Sequence, residues 1–448
     1  MRKLLFDPHV KLAFISGVYT LFLLLTLPRI PVKIDYKGLK VDSYVGGYKF
    51  RLFGKDFDFS TFKKSAEFGG GYRFKFKVLA NDEVKVREVI SNRLSRLGIT
   101  DYNISSRVEG TEASLDLTLP FVENERSVES FLKQRSFLVF RELIPEVVWK
   151  EEDAEKYFYA PSYWVDAGLD STQILGITLL KNTNAENPSV QFQINLTPEG
   201  KKIFGEVVKR NVGEPLALYI DDASLPIAMP LIGEDFAALS DINPVVTSNI
   251  DPSNTKLFAD HVNSGYYPAG YEYMGKEEVQ AVYSGFSTRL FALSSALGFM
   301  AASLFVYLTY RKLSSAFLLS LSAQFITMLF LLKVFSIYIG LRTVLIVSLS
   351  MSLYLAFGVL LLSQMKEHAR DMSLLGIYMK EAFRNSVAVI KPYLLVAAFG
   401  AFLFNIVTGW ESLALLRDLM LGYVSSYIAF VLFRLFAGLF WPRKSKSK

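Results

Sequence analysis

Few residues in this chain can do covalent or metal chemistry, and their types narrow the options at once. Among 448 residues there is no cysteine. Disulfides, thiolate-held zinc, iron–sulfur clusters and thiol nucleophiles are therefore excluded. The three histidines, His9, His261 and His368, are too scattered for a His-rich metal site or a histidine-based triad. His261 follows Asp260 without a serine or metal context and reads as part of a surface helix. Asp221-Asp222 is a candidate acid–base pair or cation site, but it falls at the end of a strand-like run, where a turn is the simpler reading. Gly69-Gly70-Gly71 has the look of a phosphate cradle, yet it lacks the Lys-Ser/Thr of a P-loop and precedes a strand. It reads as a backbone bend. No constellation supports an enzyme, and no cofactor or metal site is expected.

These residues all lie outside the long apolar runs that dominate much of the chain. Apolar residues make up 51% of the chain and charged residues 21%, which excludes a disordered or fibrous protein. Leu12–Pro28 is an uncharged run long enough to cross the hydrocarbon core. No small-x-small cleavage site follows it, so it reads as an uncleaved anchor. Further long apolar runs begin only after Arg289. They predict spans at 289–310, 313–333, 343–365, 385–410 and 419–442, six in all with span 1 at 12–28. Basic residues gather at Arg2, Lys3 and Lys11, at Arg311 and Lys312, along 366–384, and in the tail 443–448. The positive-inside rule then places both termini, including residues 1–11, in the cytoplasm. The net charge of +6 is largely explained by this margin, so nucleic acid is not expected as a partner. The basic, amphipathic loop 366–384 is expected to lie on anionic membrane lipids.

Residues 30–288 form one large external domain. Tyr72–Leu79 alternates like a half-buried strand, and Glu83–Leu97 has helical apolar spacing with Gly98 as its stop. Ser114–Leu119 and Phe137–Arg141 read as strands and Val128–Arg135 as a helix. Val190–Leu196 is strand-like, Thr197 and Pro198 open a helix as N-cap and first residue, and Leu216–Ile220 is a strand. The pattern predicts α+β layers of ferredoxin-like type. The first half is expected over 29–141 and the second over 189–288, with 240–288 serving as a connector to the membrane. The aromatic stretch 142–188 reads as an inserted cap. Its Tyr157, Phe158, Tyr159, Tyr163 and Trp164 either contact unfolded polypeptide or form the cap's own small core.

Several short motifs in this order resemble the SecD family of protein-export membrane proteins, within the RND superfamily. Ala66-Glu67-Phe68-Gly69-Gly70-Gly71 is similar to that family's Leu-Asp-Leu-x-Gly-Gly run, with Glu67 for Asp. Asn92-Arg93-Leu94 with Leu97-Gly98-Ile99 resembles its helix end. Gly200 and Phe204, then Asn211-Val212-Gly213, then Leu216–Asp221 resemble its strand–helix–strand segment. Gly265-Tyr266-Tyr267-Pro268-Ala269 is similar to its Gly-Ala-Leu-Pro-Ala run. The resemblance implies a multi-pass membrane protein with six transmembrane α-helices and an α+β periplasmic domain of ferredoxin-like halves, carrying a short inserted head. It implies residence in the bacterial inner membrane, a SecF-like partner, the SecYEG channel, and exported polypeptides moved with the help of the proton gradient.

The resemblance fails inside the membrane. The family carries Asp and Asn in Val-Asp-Ala-Asn-Val-Leu of span 4, where this chain has Ala356 and Gly358. Lys391 stands at the matching Asp position of span 5. Spans 1 to 5 hold no Asp or Glu. An intramembrane carboxylate is costly and is retained for function, so its loss predicts that any proton relay sits in the partner. Lys391 either titrates or snorkels to the headgroups, the second being the simpler reading. Ser294-Gly298-Ala302, Ser348-Ser352-Ala356 and Ala397-Ala401 are small-residue stripes expected to mark helix contacts, and Asn405 a buried polar one. The alternatives to an export subunit are a half-transporter of lipid or hydrophobic small molecules and a scaffold of the translocase that is not energised.

Overall fold

The computed structural model describes residues 8–440 apart from 28, 37–38, 53–54, 181–189, 235–242, 249–253, 284, 312–313, 369–377, 389–390, 393–398 and 400–412. Helix α1 (Pro8–Thr26) leads into two hairpins, β1 (Ile30–Tyr36) with β2 (Leu39–Val45) and β3 (Lys49–Leu52) with β4 (Lys55–Asp58). The short helix α2 (Ala66–Gly69) precedes β5 (Gly71–Leu79), α3 (Glu83–Arg96), β6 (Asn103–Glu109), β7 (Glu112–Pro120) and α4 (Glu125–Lys133). Next come β8 (Leu138–Leu143), α5 (Ala154–Tyr159), β9 (Trp164–Asp170), β10 (Ile174–Leu180), β11 (Val190–Leu196) and α6 (Pro198–Arg210). Then follow β12 (Ala217–Ile220), β13 (Val245–Ser248), α7 (Thr255–Asn263) and β14 (Glu272–Val279). Long helices α8 (Gly285–Tyr310), α9 (Ser314–Val334), α10 (Leu341–His368) and α11 (Leu413–Phe440) complete the described elements.

The chain divides into two compact units. One comprises Met1–Tyr72, Leu119–Phe121 and Glu278–Lys448, the other Arg73–Thr118 and Val122–Glu277. In the second unit, one sheet has the order β14-β5-β7-β6, with α3 following β5 and α4 following β7. This is a βαββαβ layer. Phe74, Phe76 and Val78 of β5 are buried, as its alternation predicts, and they share the interior with Val86, Ile90 and Leu94 of α3. The layer's last strand is β14, which the chain reaches only after a long excursion. Residues 240–288 are therefore more than a connector. They supply β13, α7 and the strand that closes the first layer. Arg73 and Lys75 of β5 both bind Glu277 of β14, which suits an edge strand written in charges.

Everything between α4 and β14, residues 134–271, is thus one insertion. It contains two three-stranded sheets, β12-β8-β9 and β10-β11-β13, around a shared core. Leu138, Phe140, Leu169, Ile177, Phe192, Ile194 and Leu218 from these strands meet Phe204 and Val207 of α6 and Val262 of α7. The cap expected at 142–188 is not a separate body. Its strands β9 and β10 are members of the two sheets, because Ala167, Leu169 and Ile177 are needed to bury the strands that follow. Phe137–Arg141, expected in the first half, likewise belongs to the inserted lobe through β8. Tyr157 and Trp164 are buried with Leu143, Ala217 and Tyr219, so the aromatic stretch forms core at these two positions, while Tyr159 stays exposed. In α6, Thr197 accepts the Gly200 N–H at 3.0 Å as the N-cap, with Pro198 at the first position.

In the first unit, α9 packs against α1, α8, α10 and α11. Among the described residues three helices are long and apolar enough to cross a membrane, Ser314–Val334, Leu341–Lys366 and Arg417–Ala437, and shorter apolar stretches are Ala13–Thr26 and Leu297–Tyr310. Most of the span expected at 385–410, including Ala397, Ala401 and Asn405, lies outside the described residues, as does the tail 443–448. The small-residue stripes do not mark the contacts among the described residues. Ser348, Ser352 and Ala356 are exposed, and a Cβ on Gly298 would meet nothing within 4 Å. The inward face of α10 is instead Thr343, Ile346, Tyr354, Leu361 and Met365. Those large side chains fill the gap between helices more completely than a serine stripe does.

Candidate functional site

The polar groups of the first unit gather at one end of its helices. Lys333, in the last turn of α9, is buried, and its Nζ donates to the Phe59 carbonyl at 2.8 Å and to the Leu25 and Leu27 carbonyls at 3.4 and 3.5 Å. It also sits over the Phe62 ring at 4.6 Å. One ammonium thereby ties the end of α1 and the chain after β4 to α9. Residues 63–67 run beside the turn before α10. Ile339 N–H donates to the Lys63 carbonyl at 2.7 Å, and Ser65 N–H to the Ile339 carbonyl at 3.1 Å. The Glu67 Oε2 accepts the Leu341 N–H at 2.9 Å, capping α10. A carboxylate suits that place, since the first N–H groups of a helix lack partners and carry partial positive charge. The Glu67 carbonyl accepts the Tyr283 N–H at 2.8 Å.

A second carboxylate approaches the same helix start. Asp418 of α11 is fully buried, with its Oδ2 accepting from Thr343 Oγ1 at 3.3 Å and its Oδ1 from Arg417 at 3.1 Å. The Arg342 guanidinium lies 3.6 Å from Oδ2. The expected span 419–442 begins just after Asp418, so apolar-run length does not single it out. Lys333 reads from sequence as a charge of a short external loop, and Gln324 and Ser426 are not singled out, because apolar-run length carries no information about which rare polar residue faces inward. Gln324 Nε2 donates to Ser426 Oγ at 2.8 Å and to Ser350 Oγ at 3.3 Å, and both serines donate to the Gly422 carbonyl. Ser320 and Tyr354 are hydrogen-bonded at 2.8 Å, and Tyr19 and Thr327 at 3.0 Å. These neutral pairs fix helix register. None of them is a carboxylate able to take up and release a proton. Among the described residues there is no group of three or more His, Cys, Asp or Glu placed to hold a metal ion.

No family model matches the chain. Curated relatives do. Protein translocase subunit SecD of Rickettsia felis is 23% identical over 360 residues, which is 77% of this chain and 67% of that protein. The same subunit of Dictyoglomus turgidum is 21% identical over 73% of this chain and 77% of its own length. A crystal structure of SecDF in a super-membrane-facing form shares the fold with TM-score 0.66 at 18% identity, over 97% of this chain. The chain is SecD-like. It spans 58% of the SecDF chain that it matches. As a SecD-like chain it is a membrane protein with a large extramembrane domain.

The positions where this SecD-like chain departs from the SecD motifs have a structural counterpart. A Cβ on Gly358 would lie 1.9 Å from the Phe317 ring, so an aromatic ring from α9 fills the space beside that position. Ala356 is exposed, and so is Lys391, whose neighbours at 393–398 and 400–410 lie outside the described residues. The Gly70-Gly71 bend is real. Gly70 has φ +77°, and a Cβ on Gly71 would lie 1.8 Å from the Leu119 carbonyl oxygen.

The remaining motif residues of the SecD-like chain fall in the second unit and serve its architecture. Arg93 is fully buried and holds both chain crossings into the inserted lobe. It donates to the carbonyls of Phe131 at 2.8 Å and Gly265 at 3.3 Å, donates to Ser136 Oγ at 3.1 Å, and covers the Tyr267 ring at 4.1 Å. Gly98, at φ +71°, ends α3 in the left-handed region. Gly200 is forced by the Gln173 carbonyl, 2.7 Å from where a Cβ would sit, and Phe204 is core. Asn211 donates to Glu142 at 2.7 Å, and Gly213 N–H to the Ile232 carbonyl. Asp221, at φ +51°, accepts the Phe137 N–H at 2.7 Å in a turn, and the Pro268 carbonyl accepts the Tyr271 N–H. His261 departs from expectation. It lies on helix α7 but points inward, buried against Phe131 at 3.9 Å between ring centroids and 3.3 Å from Ser136 Oγ. Burial, and then the nearby Arg93 charge, depress its pKa to about 3, so it is neutral.

Proposed function

We propose that the chain is an accessory subunit of the Sec protein-export translocase. The observation that carries this reading is the match, along 77% of the chain, to proteins named as translocase subunit SecD. In this reading six spans cross the inner membrane, both termini are cytoplasmic, and 29–288 forms the periplasmic domain. The loop 366–384 lies on the inner lipid surface. A SecF-like subunit supplies the part of the SecDF length that this chain does not span, and the SecYEG channel and exported polypeptides are the further partners. The base of the periplasmic domain is the βαββαβ layer, and its head is the whole lobe 134–271.

The chain contributes movement and not proton transfer. Gly358 faces a ring, Ala356 has no side chain to titrate, and the carboxylate buried among the described helices, Asp418, sits at a helix end held by Arg417, Arg342 and Thr343. The gradient is therefore used through carboxylates of the partner. The same observations favour a second reading, a scaffold of the translocase that is never energised. Affinity purification of the tagged chain from native membranes tests the first reading. SecF and the channel subunit SecY are expected to copurify, and their absence would refute it. Purified chain alone in liposomes is expected to show no gradient-driven proton flux. Flux abolished by Lys391→Ala would refute the division of labour.

A further inference from the structure

We infer that Glu67 is a positioning residue that locks the segment 63–70 and the start of α10 into one body, so that whatever pulls on β5 moves α10 directly. The inference rests on the export reading for its consequence in transport, though not for its geometry. The segment is bound to the turn before α10 at successive points. Two backbone hydrogen bonds join Lys63 and Ser65 to Ile339, and Lys64 pairs with Ile339 as a parallel β-bridge. The Glu67 carboxylate then caps the Leu341 N–H at 2.9 Å. Gly340 sits between them, and a Cβ there would lie 2.7 Å from Ser65 Oγ and 3.3 Å from Glu67 Oε2. That closeness leaves room for glycine alone without a shift. On its other side the segment holds the chain leading to α8, through the Glu67 carbonyl with Tyr283 N–H and the Phe68 ring packed on Tyr283 at 5.2 Å. Directly after Gly70 the chain continues as β5.

A contact made to be broken would rest on one or two exposed side chains. This one combines main-chain pairing, a charge-assisted cap and close backbone approach, each of which resists opening. α10 is also the helix that carries Ala356 and Gly358, the positions the family uses for its relay. A rigid joint at its start transmits displacement along that helix, which carries no carboxylate from Leu341 to Lys366.

The absence of cysteine makes the test clean. The pair Ser65→Cys and Gly340→Cys would place two Cβ atoms 3.0 Å apart, shorter than the usual disulfide range of about 3.5–4.5 Å, so a small outward shift brings them into bonding geometry. In full-length protein in native membranes, the double variant is expected to cross-link on oxidation. Its export activity is expected to match that of its reduced form. Glu67→Ala is expected to raise hydrogen exchange at the amides of 341–344 about tenfold and to lower export. Glu67→Gln, which keeps an accepting oxygen, is expected to restore both. The inference is overturned if the cross-link halts export and reduction restores it, since the joint must then open. It is also overturned if Glu67→Ala leaves exchange at 341–344 unchanged. If the unmodified chain supports no export at all, the export reading falls, and the exchange measurement still decides the joint.

Discussion

Arg93 shows what a single residue does in this molecule. Its guanidinium has no carboxylate to answer it in the described structure. Main-chain carbonyls on both sides of the lobe's attachment take that place, and its forked donors suit several acceptors at once. Arg93→Lys keeps the charge and loses the fork. It is expected to destabilise the protein by about 2–3 kcal/mol in chemical unfolding, because buried carbonyls lose their donors. His261 gives the molecule an acid limit. Its folded-state pKa, about 3, lies below the unfolded value near 6.5, so protons bind the unfolded chain preferentially. Its stabilising share is full above about pH 6.5 and falls by up to about 1.4 kcal/mol per pH unit as pH drops toward 3. His261→Gln is expected to flatten that slope in unfolding curves taken between pH 6.5 and 4. The Thr197 cap was legible because capping is local, set by Thr, Pro and the turn that follows. The inward turn of His261 was not, since it depends on Phe131 and Ser136, which are distant in sequence.

Elements were legible to the degree that hydrophobic pattern defines them. Long apolar runs forecast α9, α10 and α11, and the alternation of β5 and the periodicity of α3 forecast their buried faces. β14 escaped because its half-buried positions are Tyr273, Gly275, Glu277 and Val279, a strand without apolar alternation that pairs by charge. Helix contacts escaped for a related reason. The small-residue stripes predict the meeting faces, whereas tight packing falls at Gly358, where an added Cβ would run into the Phe317 ring. Gly358→Ala is expected to lower the thermal unfolding temperature in detergent, with a cost of about 1–3 kcal/mol for an overfilled core. Phe317→Leu in the same chain is expected to return part of the loss. Gly71→Ala has no such remedy, because the obstacle is the Leu119 carbonyl itself. It is expected to cost about 3 kcal/mol or more and to reduce the amount of folded protein recovered from membranes.

At the scale of the whole molecule, the substitutions at Ala356, Gly358 and Lys391 were legible, whereas the buried carboxylate of Asp418 in α11 was not, since it falls one residue before the expected span. The polar contacts at the helix ends were not, because they join residues 59–67, 333–343 and 418, brought together only by tertiary structure. The proposed topology, six crossings with 29–288 outside, leads to a direct expectation. A reporter enzyme fused after residue 150 should behave as extracytoplasmic, and one fused after 375 as cytosolic. The lobe 134–271 enters and leaves the βαββαβ layer through neighbouring strands of chain, with Tyr267 N–H donating to the Arg135 carbonyl at 3.0 Å and Arg93 gripping both. Two ends that touch make a cassette. Recombination can replace what lies between them, or lengthen it freely, while the layer that receives it keeps every one of its own strands. The lobe can in this way be exchanged for another, leaving the long apolar helices untouched.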